Sequence, residues 1–248
     1  MLRSNPEIFH LRRLYISQKL AGDISIRDNQ HHYIRNVMRM VPGDNIRVFN
    51  EDQGEYLATI KNVGKKDTIL EVGELLCAPQ PQDHQIILLV PPLSKERMHW
   101  IIEKATELGV TKIIPIITDR TDIRKVNMEK LESYVIDAAE QSERLSIPSL
   151  EPLLPLKEAI TALEKQNSDL SIIAAVARID AQIAIEVLQD SKNKDVAFVI
   201  GPAGGFSDEE KTWLCDEKDN VTAVSLGRNI LRVETAASYL LSLHNAFH

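Results

Sequence analysis

Ala197-Phe-Val-Ile-Gly-Pro-Ala-Gly-Gly-Phe-Ser-Asp-Glu-Glu210 reads as an apolar run, a glycine turn and the opening of a helix. Its first four residues are apolar without alternation, as expected for a strand of a parallel sheet covered on both faces. Gly201, Gly204 and Gly205 permit tight turns and close approach of another group. Ser207 with Glu210 has the spacing of a capping box. Strand, loop and helix in that order are the unit of an α/β domain. The same grammar continues on either side. Strands are expected over 85–90, 112–117, 171–177, 195–200 and 221–226, with helices near 95–108, 128–145, 156–166, 180–190, 207–217 and 234–247. In the first of these helices, Met98, Ile101, Ile102, Ala105 and Leu108 share one apolar face.

Toward the N-terminus the pattern changes at Ala78-Pro79-Gln80-Pro81-Gln82, which breaks all periodicity. Before it lie three β-like runs, Asn45–Asn50, Glu55–Asn62 and Asp67–Leu75, joined by connections of hairpin type. Residues 9–17 are expected to form a first strand and 28–40 a helix carrying Ile34, Val37 and Met38. Short strands at this spacing suggest a small β-barrel. The fold class is therefore α/β with a mostly parallel sheet, preceded by a β-barrel, with domain limits at 1–77 and 82–248.

Composition narrows the function classes. The longest aliphatic run, Ile86–Val90, is far too short to span a bilayer. The first residues are charged and contain no apolar stretch, so no signal peptide is expected. Two cysteines among 248 residues build no disulfide framework, and a reducing cytoplasm is the expected location. Net charge is −7, yet the first 40 residues carry +4 and the rest −11. A basic end on an acidic body fits a protein that meets phosphates with one small region. His31-His32 are adjacent and so point apart, unlike a helical metal-binding pair, and no metal is expected. No Gly-x-Ser-x-Gly elbow occurs, which removes the commonest α/β-hydrolase reading. Glu140-Gln141-Ser142-Glu143-Arg144 is expected at the surface.

The 201–205 loop matches neither phosphate-binding glycine signature. Asp208, Glu209 and Glu210 would also crowd an anionic ligand at the helix start. A neutral or cationic ligand held by main-chain groups suits it better, S-adenosylmethionine among them, and a turn without ligand remains open. A second constellation, Val224-Ser-Leu-Gly-Arg-Asn-Ile-Leu-Arg-Val-Glu-Thr-Ala-Ala237, ends the last strand and begins the last helix. Thr235 or Glu234 is the expected cap. Both loops leave the C-terminal ends of strands, where ligand crevices of open α/β sheets lie.

Lys104-Ala-Thr-Glu-Leu-Gly-Val110, Ala139-Glu-Gln-Ser-Glu-Arg144, Gly201-Pro-Ala-Gly-Gly-Phe206 and Leu226-Gly-Arg-Asn-Ile-Leu-Arg-Val-Glu-Thr-Ala236 together resemble the RsmE family. So does His31-His32 through Arg39-Met40-Val41-Pro42-Gly43-Asp44. These are SPOUT-superfamily methyltransferases acting on N3 of a uridine in 16S ribosomal RNA. The resemblance implies a PUA-like N-terminal β-barrel, a C-terminal SPOUT-type domain with a trefoil knot, and a homodimer. It implies S-adenosylmethionine bound by Ala175, Val176, Ala177, Ile200, Gly201, Pro202, Gly204, Gly205, Ser225, Leu226, Gly227, Ile230, Leu231, Arg232, Thr235 and Ala236. The chain departs from the family at Ala203 (usually Glu), Glu143 (usually Gly) and Val233 (usually Thr or Ser), and lacks the acid expected near 175–178.

Given that resemblance, Arg232 or Arg228 is expected to stabilise charge developing on the uracil, with Glu234 orienting the arginine or accepting the proton. Arg3, Arg12, Arg13, His31, His32, Arg35 and Arg39 are expected to hold RNA phosphates of the small ribosomal subunit. Two other readings stay open: a ribosome-assembly factor on the same fold that has weakened catalysis, and an enzyme for a nucleotide-like small molecule.

Overall fold

The computed structural model describes residues 6–177, 181–190, 194–218 and 220–247. They divide into two compact units. One runs to Pro81 and also takes in Ala139–Ser146; the other comprises Gln82–Ala138 and the residues from Ile147 onward.

In the first unit, the short helix α1 (Pro6–Phe9) leads into β1 (Arg13–Tyr15). β2 (Asp23–Arg27), α2 (Asp28–His32), β3 (Asn45–Asn50), β4 (Gly54–Val63) and β5 (Asp67–Cys77) follow. The strands form one sheet in the order β1-β3-β4-β5-β2, a half-barrel in which only the β1–β3 pair is parallel. Strand alternation sends Ile24 and Ile26, Ile46 and Val48, and Ala58 and Ile60 into one core with Leu14, Ile34 and Leu70. The strand expected over 9–17 is limited to Arg13–Tyr15: Phe9 belongs to α1, and only these three residues pair with β3. The helix expected over 28–40 converts at Tyr33–Val37 into a π turn, whose Met38 N–H bonds the Tyr33 carbonyl at 2.9 Å. That turn keeps Ile34 fully buried, and Arg39 at φ 54° ends it.

The expected surface segment 140–144 is instead fastened to this sheet. Arg13 is 5% exposed and donates from Nε to Glu55 at 2.5 Å, and from its Nη atoms to the carbonyls of Ala139, Glu140 and Arg144. Arg47 donates to Glu143 at 2.8 Å, and the Glu140 carboxylate accepts the Tyr15 N–H. Glu143 sits at φ 59°, a backbone region where glycine is at ease, so the Arg47 contact holds a strained residue in place. Burial lowers the Arg144 pKa to about 10.

The second unit contains β6 (Ile86–Val90), α3 (Lys95–Glu107), β7 (Lys112–Ile117), α4 (Met128–Gln141, whose last three residues belong to the first unit), β8 (Ser149–Leu150), β9 (Leu154–Pro155), α5 (Leu156–Gln166) and β10 (Ser171–Ala175). β11 (Gln182–Ile183), α6 (Ala184–Asp190), β12 (Val196–Ile200), α7 (Asp208–Asp216), β13 (Val221–Ser225) and α8 (Val233–Asn245) complete it. The sheet runs β11-β13-β10-β12-β6-β7-β8 and every pairing is parallel, with β9 beside the end of β7. Side chains alternate across it. Leu88, Val90, Phe198 and Ile200 join α3, α6 and α8 on one face; Ile87, Leu89, Ala197 and Val199 join α5 and α7 on the other. The result is a sheet between two helical layers, as the unbroken apolar runs imply. Residue 180, where the helix expected over 180–190 begins, lies outside the described residues. No helix among the described residues is long and apolar enough to cross a membrane.

Candidate functional site

β13, β10 and β12 are neighbours, and Val224, Ala175 and Ile200 stand side by side where the three strands end. The loops that leave them enclose a cavity of about 380 Å3. That volume lies in the range of small-molecule sites. Its walls are Ala175, Val176 and Ala177, then Ile200 through Phe206, then Ser225 through Leu231, with Val233 and Ala236 from the start of α8. Arg120 and Lys211 complete the lining.

Local sequence explains this shape. A Cβ at Gly201 would stand 2.9 Å from the ring of Phe206, which is buried beneath the loop. Gly227 has φ 106°, a conformation that side chains rarely adopt. The capping box forms as expected. Ser207 Oγ accepts the Glu210 N–H, and Glu210 Oε2 accepts the Ser207 N–H at 2.9 Å. Glu210 is itself buried, and its other oxygen accepts the Asp119 N–H at 2.8 Å. Asp119 in turn accepts a hydrogen bond from Ser207 Oγ, and Arg120 donates to the Gly204 carbonyl at 3.0 Å. The loop after β7 thus clamps the glycine loop.

Three expected site residues stand apart from the cavity. Arg232, Glu234 and Thr235 are not among its lining residues, and Arg232 and Thr235 face solvent. Arg232 is the N-cap of α8 by backbone alone, so neither Thr235 nor Glu234 caps that helix. Glu234 makes no hydrogen bond to Arg232, although the Arg232 charge is near enough to act on it. It makes a forked pair with Arg97 of α3, 2.6 Å at the shorter contact, because α3 and α8 pack together. Partial burial pushes the Glu234 carboxyl up, but the Arg97 hydrogen bonds, a backbone hydrogen bond and the charges of Arg97 and Arg232 together outweigh it and hold the pKa below its ordinary value. Arg228 does line the cavity.

The acids after Gly205 also play another part than their sequence suggests. Asp208, Glu209 and Glu210 do not line the cavity, whereas Lys211 does. Every charged residue of the lining is basic: Arg120, Lys211 and Arg228. The first turn of α7 therefore gives no reason to exclude an anionic group.

Of the expected phosphate-binding set, Arg12, His32, Arg35 and Arg39 are exposed. Arg13 is consumed by Glu55 and three carbonyls, and His31 is buried against Thr68 Oγ1 at 2.8 Å, so both leave the set. Arg3 lies outside the described residues. The sequence reading missed Arg120 and Lys211. Arg120 was findable, since it follows a parallel strand at the same end of the sheet as the other loops. Among the described residues, no group of three His, Cys, Asp or Glu is placed to hold a metal ion.

A family model described as an RNA methyltransferase domain matches residues 79–245, and one described as an RNA methyltransferase PUA domain matches residues 26–72. The ribosomal RNA small subunit methyltransferase E of Rickettsia conorii is 36% identical over 228 residues, covering 91% of each chain. That of Bacillus subtilis is 30% identical over 233 residues, 90% of this chain and 89% of its own. Among solved structures, a ribosomal RNA small subunit methyltransferase E from Neisseria gonorrhoeae bound to S-adenosylmethionine superposes with a TM-score of 0.81. It is 27% identical, and the match covers 96% of this chain and 98% of the other.

Proposed function

The chain belongs to the ribosomal RNA small subunit methyltransferase E family, and from that premise we propose that it methylates N3 of a specific uridine in 16S rRNA. The methyl donor is S-adenosylmethionine, which solved relatives of the family carry. The observation that supports the donor's place is the cavity at three adjacent strand ends. Its walls are main chain and small or apolar side chains, and no carboxylate lines it. When bound, the donor supplies an electrophilic methyl group.

The chain's own residues do the rest. Val176, Ile200, Phe206 and Val233 are buried and keep water from the cavity floor. Main-chain groups of 201–205 and 225–231 offer the polar contacts. Uridine N3–H is weakly acidic, so the reaction needs negative charge stabilised on the uracil oxygens. Arg232 lies between Leu231 and Val233, both lining residues, and has no hydrogen-bond partner among the described residues. Its guanidinium would break no hydrogen bond in turning to the base. Glu234, ionised and held by Arg97, ties α3 to the first turn of α8 and makes a poor proton acceptor. N3 is on the pairing edge, so the base must be unpaired or extruded. Arg12, His32, Arg35 and Arg39 are left to contact RNA phosphates. The reading extends to a trefoil-knotted second domain, a homodimer and a cytoplasmic location.

Purified small subunits lacking the modification, incubated with labelled S-adenosylmethionine, should take up one methyl group, which nuclease digestion and mass spectrometry would place on uridine N3. Folded protein that binds the donor and transfers nothing would instead leave a ribosome-assembly factor. Gly201→Ala should weaken donor binding at least tenfold by calorimetry, because the new methyl group displaces Phe206 or the loop. An unchanged affinity would remove this loop from the donor site.

A further inference from the structure

We propose that Arg120 and Arg228, on two different loops, form an anion subsite at the cavity mouth that takes a phosphate of the RNA beside the target nucleotide. The inference rests on the methyltransferase reading and deepens it. The cavity has two chemical zones. Its floor is buried and apolar, with Val176, Ile200, Phe206 and Val233, while Arg120 and Arg228 are exposed. An anion that meets them therefore arrives from the solvent side, where the RNA must come, rather than from the floor.

The two arginines are not equivalent to the third cation. Lys211 is held by Asp208 of its own helix at 3.2 Å, so it has a carboxylate partner that the two arginines lack. Arg120 spends Nη1 on the Gly204 carbonyl, and that bond fixes the guanidinium without cancelling its charge. Arg228 has no hydrogen-bond partner among the described residues. It follows Gly227, whose φ of 106° turns the chain at the cavity edge. A planar guanidinium fork matches phosphate oxygens, and one anchored at a carbonyl loses less freedom on binding. Such a contact would set the register of the RNA without reading its bases.

The test is binding, measured apart from transfer. Wild type, Arg228→Ala, Arg120→Gln and Arg120→Lys would be compared for affinity to S-adenosylmethionine by calorimetry. Affinity to unmodified small subunits would be measured over a salt series at fixed magnesium. Arg120→Gln keeps an N–H donor for Gly204 while removing the charge. The expected result is that Arg228→Ala and Arg120→Gln each weaken subunit binding about tenfold and flatten the log–log salt slope by about 0.7–0.9, the loss of one phosphate contact. Arg120→Lys should retain most of the slope, and any loss of donor affinity should be smaller than the loss of subunit affinity in every variant. Loss of donor affinity with an unchanged salt slope would assign the arginines to the donor's carboxylate and overturn the proposal, as would no change in either. Wild type that binds subunits with the full salt slope but never binds the donor would sink the methyltransferase reading, and the variants' slopes alone would then decide whether the two arginines hold an RNA phosphate.

Discussion

Glu55→Ala should destabilise the first unit by about 3–5 kcal/mol, the usual cost of removing one partner of a buried ion pair. Glu55 has no exposed surface, and it faces Arg13 at 2.5 Å and Arg47 at 3.7 Å. Without it, Arg13 remains buried with no carboxylate partner, and the buried Arg47 keeps Glu143 alone. The damage should spread, since Arg13 also holds the carbonyls of Ala139, Glu140 and Arg144, and Arg47 holds Glu143. Glu55→Gln, which keeps an acceptor for Arg13 Nε, should cost clearly less. Both tryptophans, Trp100 and Trp213, lie in the second unit, so their fluorescence would miss the event. Hydrogen exchange of the β3 and β4 amides would register it. A loss below about 1 kcal/mol would mean that water or rearrangement already serves these arginines.

The same cluster shows what a sequence conceals. Arg13 contributes to a basic N-terminal stretch, and charge counting gives it to phosphate. Only the fold shows that Glu55, on the second strand of a hairpin, sits against it. Glu234 makes the same point across 137 residues, with Arg97 in place of the neighbouring Arg232. Charge pairs are set by packing, which sequence proximity does not report. Elements with strong local signals were legible: β6 and β12 are unbroken apolar runs, and the Ser207–Glu210 capping box starts α7 where expected. The two-residue strands β8, β9 and β11 carry no period and exist only through their partners at the sheet margins. The cavity was legible because strand order and chain direction bring glycine loops to one end of a parallel sheet. Its cationic rim was legible only in part: Arg228 lies in one of the glycine loops, whereas Arg120 follows β7, two places across the sheet from β12, and needed the strand order to be placed there.

Arg232→Ala should lower kcat for methyl transfer by about 10²–10³, the usual effect of removing one donor aimed at developing negative charge. Its position makes the prediction discriminating. The side chain is exposed and does not line the cavity, so its loss should leave donor affinity within about twofold and the melting temperature unchanged. The caps of α8 should also survive, because Arg232 caps it with backbone and no side-chain hydrogen bond. Arg232→Lys keeps the charge without the planar fork, and should recover part of the rate. Single-turnover transfer to unmodified small subunits, measured beside calorimetry with the donor, separates the alternatives. Collapse of donor binding with a normal rate at saturation would make Arg232 a donor-holding residue, as the family resemblance also implies. Near-normal turnover would pass the stabilising role to another cation, and Arg97, already committed to Glu234, would be a poor candidate beside Arg228 at the cavity mouth.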